Sequence, residues 1–330
     1  MNSIGRLFRV SLFGESHGAL AGVLIDGCPA GLALCAKDFE ADLQRRKSSL
    51  PGGTARREKD EITISSGIYK GFSTGAPIQI SFANQDVESR DYNAFLEHPR
   101  PGHADFASRL KYHGFHDLRG AGHLSARLTV GLVAAGVIAK KLLAPAEISA
   151  ELLSVGGSDD IEKQVLAAMA DHDSLGGIIK CTVQNLAAGL GEPYMDSVES
   201  LISHLVFAIP SVKGIEFGAG FASANLRGSQ MNDAITDASG KTSTNHSGGI
   251  NGGITNGNEI SFRVALRPAP SIGREQQSWH FGKGKMQSLK IAGRHDVCPA
   301  LRAPVIIEAA AAIVLADLSL INQCSSREKV

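Results

Sequence analysis

Two long, alanine-rich segments of the chain, residues 128–143 and 304–321, are apolar on nearly every side. A helix that is apolar all round is buried in a protein core or spans a membrane. The longest apolar stretches within these segments, residues 128–139 and 309–316, are too short to cross a bilayer. The two segments therefore predict helices that lie inside a protein core, and no membrane association is expected.

Shorter segments show the apolar spacing of strands and of half-buried helices. Alternating apolar residues predict strands at residues 8–13, 19–26, 62–64, 78–82, 179–183 and 260–264. Helical spacing predicts helices at residues 39–43, 161–169 and 198–205, the second of them capped by Ser158 or Asp159. These elements do not alternate in a steady βαβ order, so we expect a mixed α+β fold and not a doubly wound sheet.

No boundary between domains is evident. No stretch rich in Pro and Ser divides the 330 residues, and the least patterned segment, residues 145–157, is short. Segments that look functional lie on both sides of it. One domain covering residues 1–330 is therefore expected.

Composition narrows the classes of function. Lys and Arg together number 33, as do Asp and Glu, so net charge gives no support to a nucleic-acid or membrane partner. The cysteines number five and form no C-x-x-C, which argues against a disulfide framework and against a zinc ribbon. Arg6, Arg9, Glu15 and His17 interrupt the N-terminal segment, which is not the pattern of a signal peptide. A cytoplasmic location is expected.

Residues 14–18 read Gly-Glu-Ser-His-Gly and fit the G-x-S-x-G pattern of a nucleophile elbow. Their position argues against that interpretation, because an α/β-hydrolase builds several strands before its elbow. A second strand, and not a helix, is predicted to follow. The simpler interpretation is a hairpin turn that carries Ser16 and His17.

Glycine-rich segments suggest a backbone-lined binding site. Residues 244–257 contain closely spaced Gly, Asn and Ser, and small residues let backbone N–H groups approach an anion or a flat polar ring. A flexible surface loop has the same composition. The pairs Gly120 with Gly122 and Gly218 with Gly220 lack the third glycine of G-x-G-x-x-G, and no G-K-[ST] occurs, so the common dinucleotide and P-loop sites are disfavoured.

Arg and His occur together in turns at residues 100–105, 119–123 and 293–296. An arginine next to glycine in a turn suits forked contact with a phosphate or a carboxylate. Arg46 lies instead at the end of a predicted helix, between Arg45 and Lys47, where cations also complement the helix dipole.

The chain has 11 histidines, which raises the alternative of a metal site. His113 and His116 are three residues apart, and His295 precedes Asp296. Neither H-E-x-x-H nor a Cys/His quartet is present. No metal is expected.

Seven motifs, in order along the chain, resemble those of the chorismate synthase family. They lie at residues 8–18, 26–31, 100–105, 213–218, 228–233, 248–257 and 293–296. The resemblance covers residues 5–317 with modest gaps. It accounts for residues 14–18 without a nucleophile elbow.

The resemblance implies a lyase of the shikimate pathway. Family members convert 5-enolpyruvylshikimate 3-phosphate to chorismate and phosphate by an anti 1,4-elimination, and they need reduced FMN although the reaction has no net redox change. The implied fold is a β-α-β sandwich with helices layered between antiparallel sheets. The implied assembly is a homotetramer with flavin sites near subunit contacts, and the reduced flavin would come from NADPH or from a separate flavin reductase.

Position within the motifs implies roles for individual residues. His17 resembles the histidine that protonates the departing phosphate, and His103 resembles the histidine beside the flavin ring. Asp296 resembles the aspartate that helps to deprotonate flavin N5. Arg294 resembles the arginine shared by flavin and substrate.

The remaining implied contacts concern the substrate and the cofactors. Arg46 and Arg127 resemble arginines that clamp the substrate, and Arg46 also matches a position that some members use for NADPH. The implied flavin contacts are His123, Leu124, Ser125, Pro210, Ser211, Gly252, Arg267, Pro268, Ala269, Pro270, Ser271 and Arg294.

The chain departs from the commoner family pattern in four places. His123 and Leu128 stand where Arg and Glu are usual, and a neutral histidine would remove one fixed positive charge. Residues 47–53 lack a second arginine that members use for substrate or nucleotide. Residues 267–269 read Arg-Pro-Ala in place of Lys-Pro-Thr, and the region between residues 143 and 173 is shorter. These departures suggest a short subtype.

A second class of function stays open: a relative that binds flavin and phosphate ligands with weak or no lyase activity. The intact set of His17, His103, Arg127, Arg294 and Asp296 favours the lyase.

Overall fold

The structure is a computed structural model that describes residues 2–47, 52–53, 58–86, 92–291 and 296–325. Within these residues the strands, in chain order, are β1 (Ser3–Ile4), β2 (Arg9–Gly14), β3 (Leu20–Asp26), β4 (Ile62–Ser66), β5 (Ile68–Tyr69), β6 (Phe72–Ser73), β7 (Ile78–Ala83), β8 (Glu147–Val155), β9 (Gly177–Gln184), β10 (Val212–Phe217), β11 (Ile250–Asn251), β12 (Ile254–Thr255), β13 (Ile260–Leu266), β14 (Gln276–His280) and β15 (Lys285–Leu289).

The α-helices alternate irregularly with these strands. In chain order they are α1 (Glu40–Lys47), α2 (Ala94–Glu97), α3 (Asp105–Tyr112), α4 (Thr129–Leu142), α5 (Ile161–Ala170), α6 (Val198–Phe207), α7 (Gly228–Met231) and α8 (Pro304–Ser325). Short 3₁₀ segments precede α1, α4 and α8.

Two antiparallel sheets form the outer layers. The larger sheet has the spatial order β1-β2-β3-β7-β4, and the smaller one has the order β10-β13-β9-β8. Every pair of neighbouring strands in both sheets is antiparallel. Alternate residues of β7, β9 and β13 are buried, as expected for strands with one face on a core.

The two apolar helices lie between the sheets. α4 packs on β2, β3 and β7 of the larger sheet, α8 packs on β8 and β9 of the smaller one, and the two helices pack on each other. Gly136 of α4 lies against Ala309 of α8, and a Cβ at Gly136 would lie 2.6 Å from the Cα of Ala309. The absence of that side chain lets the helices approach closely. The predicted α+β fold and the β-α-β sandwich are thus confirmed.

α8 is longer and more continuously apolar than the sequence interpretation allowed. Residues 304–324 are long and apolar enough to cross a membrane, so the apolar segment extends well beyond residues 309–316. In the fold, most of this helix is buried. The helix therefore occupies the core of the sandwich.

The two carboxylates of α8 are paired inside this core. Glu308 accepts hydrogen bonds from Arg45 (2.8 and 2.5 Å), from the Lys140 Nζ (2.7 Å) and from the backbone N–H of Ala150 (2.8 Å). Asp317 accepts the backbone N–H groups of residues 6–8 at 2.7 to 2.9 Å. Buried charges of this kind require such partners.

Two local predictions were wrong. Residues 145–157 are not unpatterned, because β8 runs from Glu147 to Val155 as an edge strand of the smaller sheet. Alternate residues of β8 are partly buried because the strand packs on α8, but several of these residues are small or polar, so the alternation is not evident in the sequence. The cap of α5 is Asp160, whose side chain accepts the Lys163 N–H at 3.3 Å, and not Ser158 or Asp159.

Candidate active site

A cavity of about 1050 Å³ opens where loops from both sheets meet the first turns of α4 and α8. Thr129 of α4 and Ile306 of α8 lie in its wall. Both helices are long, so their N-termini contribute partial positive charge to the cavity. A pocket for one small ligand typically measures about 300–1,000 Å³. The cavity is therefore as large as the largest typical pockets for a small ligand.

The turn between β2 and β3 carries Ser16 and His17 into the cavity wall. The strands pair from Arg9 with Asp26 to Gly14 with Ala21, so residues 15–19 form a hairpin turn, as predicted. Its backbone is tied to the loop before α4, because the Ser16 N–H donates to the Gly122 carbonyl at 3.0 Å.

The ring of His17 fits closely between its neighbours. Tyr92 meets it edge to face at 5.5 Å between ring centroids. On another side lies Gly120, which has a φ of +55°, and a Cβ there would lie 2.6 Å from Cδ2 and 2.7 Å from Nε2 of His17. Glycine at position 120 thus satisfies both a left-handed backbone and a close approach to the histidine.

Arg46 and Arg127 share one buried carboxylate. The Arg46 Nη2 donates to the Asp60 Oδ2 at 2.7 Å, and the Arg127 Nη1 makes a short hydrogen bond to Oδ1. All three side chains are buried. Burial opposes the ionisation of Asp60, but the charges of Arg46 and Arg127 outweigh it and hold the pKa of Asp60 below its ordinary value.

Arg46 is therefore not a solvated cation at the end of α1. Burial lowers the pKa of its guanidinium, and Asp60 opposes that effect. Arg46 and Arg127 both line the cavity. They present two fixed positive charges that share one negative partner.

His103 is held by a second buried carboxylate, Asp105. The His103 Nδ1 lies 2.6 Å from Asp105, and Arg100 forks onto the same carboxylate at 2.8 Å from Nε and from Nη2. Burial would raise the pKa of Asp105, but the hydrogen bonds from Arg100 and His103 keep it well below its ordinary value. Arg100 also stacks on Phe95, 4.4 Å from the ring centroid, and donates to the Ser271 hydroxyl at 3.2 Å. The ionised carboxylate and this stacking fix the orientation of His103 in the cavity wall.

Asp296 lines the cavity next to Arg302, with which it makes a short ion pair. Arg302 lies just before α8 and lines the cavity too. Arg294, assigned to flavin and substrate by resemblance, lies outside the described residues.

Most of the residues assigned to flavin by resemblance lie in the cavity wall. These are Leu124, Ser125, Pro210, Ser211, Arg267, Ala269, Pro270 and Ser271. His123 and Pro268 adjoin the cavity in sequence but do not line it, and His123 makes a 3.0 Å hydrogen bond with the Tyr112 hydroxyl. Gly252 lies apart, exposed in the hairpin of β11 and β12.

The glycine-rich segment 244–257 does not line the cavity in the described chain. Asp233 accepts the backbone N–H groups of His246 and Ser247 at 2.8 and 2.9 Å, and Asn245 accepts the Gly249 N–H at 2.8 Å. These bonds tie the segment down.

Two arginines in turns contact carboxylates of the chain itself. Arg100 binds Asp105, and Arg119 forks onto Asp117 at 2.9 and 2.8 Å.

Among the described residues, no group of three or more His, Cys, Asp or Glu side chains lies close enough to hold a metal ion.

Cations outnumber carboxylates in the described wall of the cavity. Arg46, Lys47, Arg100, Arg127, Lys213, Arg267 and Arg302 line it, against Glu58, Asp60, Asp86 and Asp296. Sequence reasoning missed Asp60, Lys213 and Arg302 as members of the site. Lys213 begins the motif at residues 213–218, which indicated the family but no role for the lysine. Nothing in the local sequence connects Asp60 with Arg127. The excess of cations suits a ligand that carries phosphate and carboxylate groups.

Comparison with known proteins gives matches over nearly the whole chain. The family model described as chorismate synthase matches residues 8–320. The chain is 56% identical over 328 residues to a chorismate synthase of Chitinophaga pinensis, with 99% of each chain covered. It is 42% identical over 351 residues to a chorismate synthase of Dehalococcoides mccartyi, with 97% of this chain and 96% of the relative covered.

The fold has a solved counterpart. A crystal structure of a chorismate synthase matches with a TM-score of 0.76 and 26% identity, and the match covers 97% of this chain and 93% of that one.

Proposed function

This chain belongs to the chorismate synthase family, and we propose that the cavity described above is where it eliminates phosphate from 5-enolpyruvylshikimate 3-phosphate to form chorismate. The protein is a lyase of the shikimate pathway that acts on a small molecule. One observation carries the assignment of the site: His17, His103, Asp296 and the paired Arg46 and Arg127 all line this one cavity.

The residues of the wall fit reduced FMN beside the substrate. The wall at residues 124–125, 210–211 and 269–271 consists of Leu, Ser, Pro and Ala, which are uncharged and suit the face of a flat ring. Arg267 and the N-termini of α4 and α8 favour its negative charge. When bound, reduced FMN supplies electron density to the substrate and takes up the departing proton.

The protein's own side chains bind and orient the substrate and protonate its leaving phosphate. Arg46 and Arg127 bind anionic groups of the substrate in an orientation that Asp60 fixes in advance. His17 gives a proton to the leaving phosphate, which offsets the negative charge that grows as the C–O bond breaks. His103, oriented by Asp105, stabilises the negative charge of the reduced ring. Asp296, beside Arg302, would accept the proton that leaves flavin N5, the role that the family resemblance implies for it.

The surroundings of Arg46 bear on whether the protein can bind NADPH and reduce its own flavin. Arg46 lines the cavity, where it is assigned to the substrate, and residues 47–53 hold no second arginine for a nucleotide phosphate. We therefore expect the protein to depend on flavin reduced elsewhere, by a separate flavin reductase, and not on NADPH bound at Arg46.

The protein acts as a cytoplasmic homotetramer in this proposal. Several large apolar side chains outside the cavity are strongly exposed, and such side chains are candidates for burial in subunit interfaces. They include Phe115 (94%), Tyr194 (87%), Met195 (83%) and Phe221 (83%). Gly252, which is exposed and does not line this cavity, would contact the flavin of a neighbouring subunit.

Anaerobic turnover tests the proposed function. Purified protein, substrate and photoreduced FMN should release chorismate and phosphate in equal amounts. Binding of both ligands without chorismate would instead support a flavin- and phosphate-binding relative. Turnover driven by NADPH and oxidised FMN, without any added reductase, would contradict the inference about Arg46.

A further inference from the structure

The end of β7 meets the turn that carries His17. β3 and β7 pair from Leu20 with Ala83 to Ile25 with Ile78, so the residue after β7 lies beside the turn before β3. That residue is Asn84, whose backbone N–H donates to the Ala19 carbonyl at 3.1 Å. Its side chain points at the functional residues on both sides.

The Asn84 amide joins Arg127 to the His17 turn. Its Oδ1 accepts the Arg127 Nε–H at 2.9 Å, and its Nδ2 donates to the carbonyls of Glu15 (2.9 Å) and Gly18 (2.8 Å). These two carbonyls bracket Ser16 and His17. Because a guanidinium only donates and a carbonyl only accepts, one orientation of the amide satisfies every partner.

We propose that Asn84 is a positioning residue that fixes the position of the His17 ring relative to the substrate-binding pair Arg46 and Arg127, called the arginine clamp below. This proposal rests on the role of His17 proposed above. Arg127 is itself fixed by Asp60. The chain of contacts therefore runs from the buried carboxylate through Arg127 and Asn84 to both ends of the histidine turn. A phosphate held by Arg127 would then lie at a set distance from the His17 ring.

Replacement of Asn84 by aspartate isolates this role. The carboxylate keeps an acceptor for Arg127, but it has no N–H groups and faces the Glu15 and Gly18 carbonyls with a negative charge. The clamp should stay intact while the turn shifts. We expect Asn84→Asp to lower kcat by about 10- to 100-fold, as small misplacements of reacting groups do, while the added negative charge beside Arg127 raises KM by a smaller factor, less than about tenfold.

A matched control is Asn258→Asp. The Asn258 Oδ1 likewise accepts one N–H group, here from the Thr242 backbone at 3.1 Å, and its Nδ2 donates to two oxygens, the Gly240 carbonyl and the Asn256 Oδ1, each at 3.1 Å. It does not line the cavity. This variant loses the same number of donated hydrogen bonds and should keep wild-type kcat, even if its melting temperature falls as far as that of Asn84→Asp.

Two readouts distinguish positioning from a merely structural effect. In a His17→Ala background, Asn84→Asp should cost little further kcat, because the group it positions is gone. In protein labelled at histidine ¹³Cε1, the His17 signal, assigned by its loss in His17→Ala, should shift in Asn84→Asp and stay in Asn258→Asp. An unshifted signal, or a full and independent loss of kcat in the His17→Ala background, would overturn the proposal. The labelled-histidine result stands even if the wild-type protein forms no chorismate, so it separates this proposal from the proposed function.

Discussion

At the scale of single residues, the site depends on buried charges that neutralise one another. Asp60 lies between Arg46 and Arg127, and Asp105 lies between Arg100 and His103. Removing one member of a buried ion pair typically costs about 3–5 kcal/mol, because it strands the other charge. The same pairing holds the side chains in place before a ligand arrives. Stability and the geometry of the site therefore depend on the same few contacts.

A glycine next to His17 gives a residue-scale prediction. Gly120→Ala would put a Cβ 2.6 Å from the Cδ2 of His17 and 2.8 Å from the Ser16 Oγ. The ring has to move, so we expect kcat to fall by about 10-fold or more. Steady-state kinetics with saturating reduced flavin measures this loss.

Gly114→Ala is the control for that variant. Gly114 also has a positive φ, +82°, but nothing lies within 4 Å of its ideal Cβ. Both variants should lose about 1–2 kcal/mol of stability from the left-handed backbone. If Gly114→Ala loses as much kcat as Gly120→Ala, backbone strain and not the displaced ring is the cause.

At the scale of elements, the sequence predicted a helix or strand correctly where the apolar residues followed one clear pattern. The apolar surfaces of α4 and α8 predicted two buried helices, and strict alternation predicted β4, β7, β9 and β13. β8 was missed because Ser149, Ala150 and Ser154 give an edge strand little apolar signal. The family resemblance identified most of the residues that line the site. The hydrogen bond between Arg127 and Asp60, however, joins residues 67 positions apart and has no local sequence pattern. Such a contact is set by tertiary packing.

The crossing of α4 and α8 gives an element-scale prediction. Ala in place of Gly usually stabilises a helix interior by about 1 kcal/mol. At Gly136 the new methyl group would collide with the Cα of Ala309 at 2.6 Å and with its Cβ, and overpacking of a core typically costs about 1–3 kcal/mol. Gly136→Ala should therefore lower the free energy of unfolding.

Gly228→Ala is the matched control for helix propensity. Gly228 begins α7, and no atom lies within 4 Å of its ideal Cβ. The free energy of unfolding of the Gly228→Ala variant should differ from that of the wild type by less than about 0.5 kcal/mol. A stabilised Gly136→Ala variant would show that the two helices can separate at little cost, contrary to the packing described here.

At the scale of the whole molecule, the layered fold brings distant loops together. The turn of β2 and β3, the segments before α4 and α8, and the ends of β10 and β13 all reach one cavity. The surface outside it exposes Phe115, Tyr194, Met195 and Phe221. One chain thus provides most of the proposed site and leaves apolar surface for assembly.

The family resemblance implies a tetramer in solution, and the exposed aromatic side chains are candidates for its interfaces. Light scattering on the purified protein should give a mass four times the 34.7 kDa of one chain. Phe221→Glu or Tyr194→Glu, placed on that surface, should shift the mass toward smaller species because a buried carboxylate without a partner is costly. A monomer at micromolar concentration would contradict the assembly and the proposed place of Gly252.

The most direct test of the account is the turnover of His17→Ala with saturating substrate and photoreduced FMN under anaerobic conditions. A positioned general acid contributes about 10²–10⁴-fold, so chorismate formation should slow by that factor while calorimetry still detects bound flavin. His204→Ala, which removes an exposed histidine of α6 outside the cavity wall, should match the wild type. Wild-type turnover by His17→Ala would contradict the assignment of the proton donor, and with it the placement of the reaction at this turn.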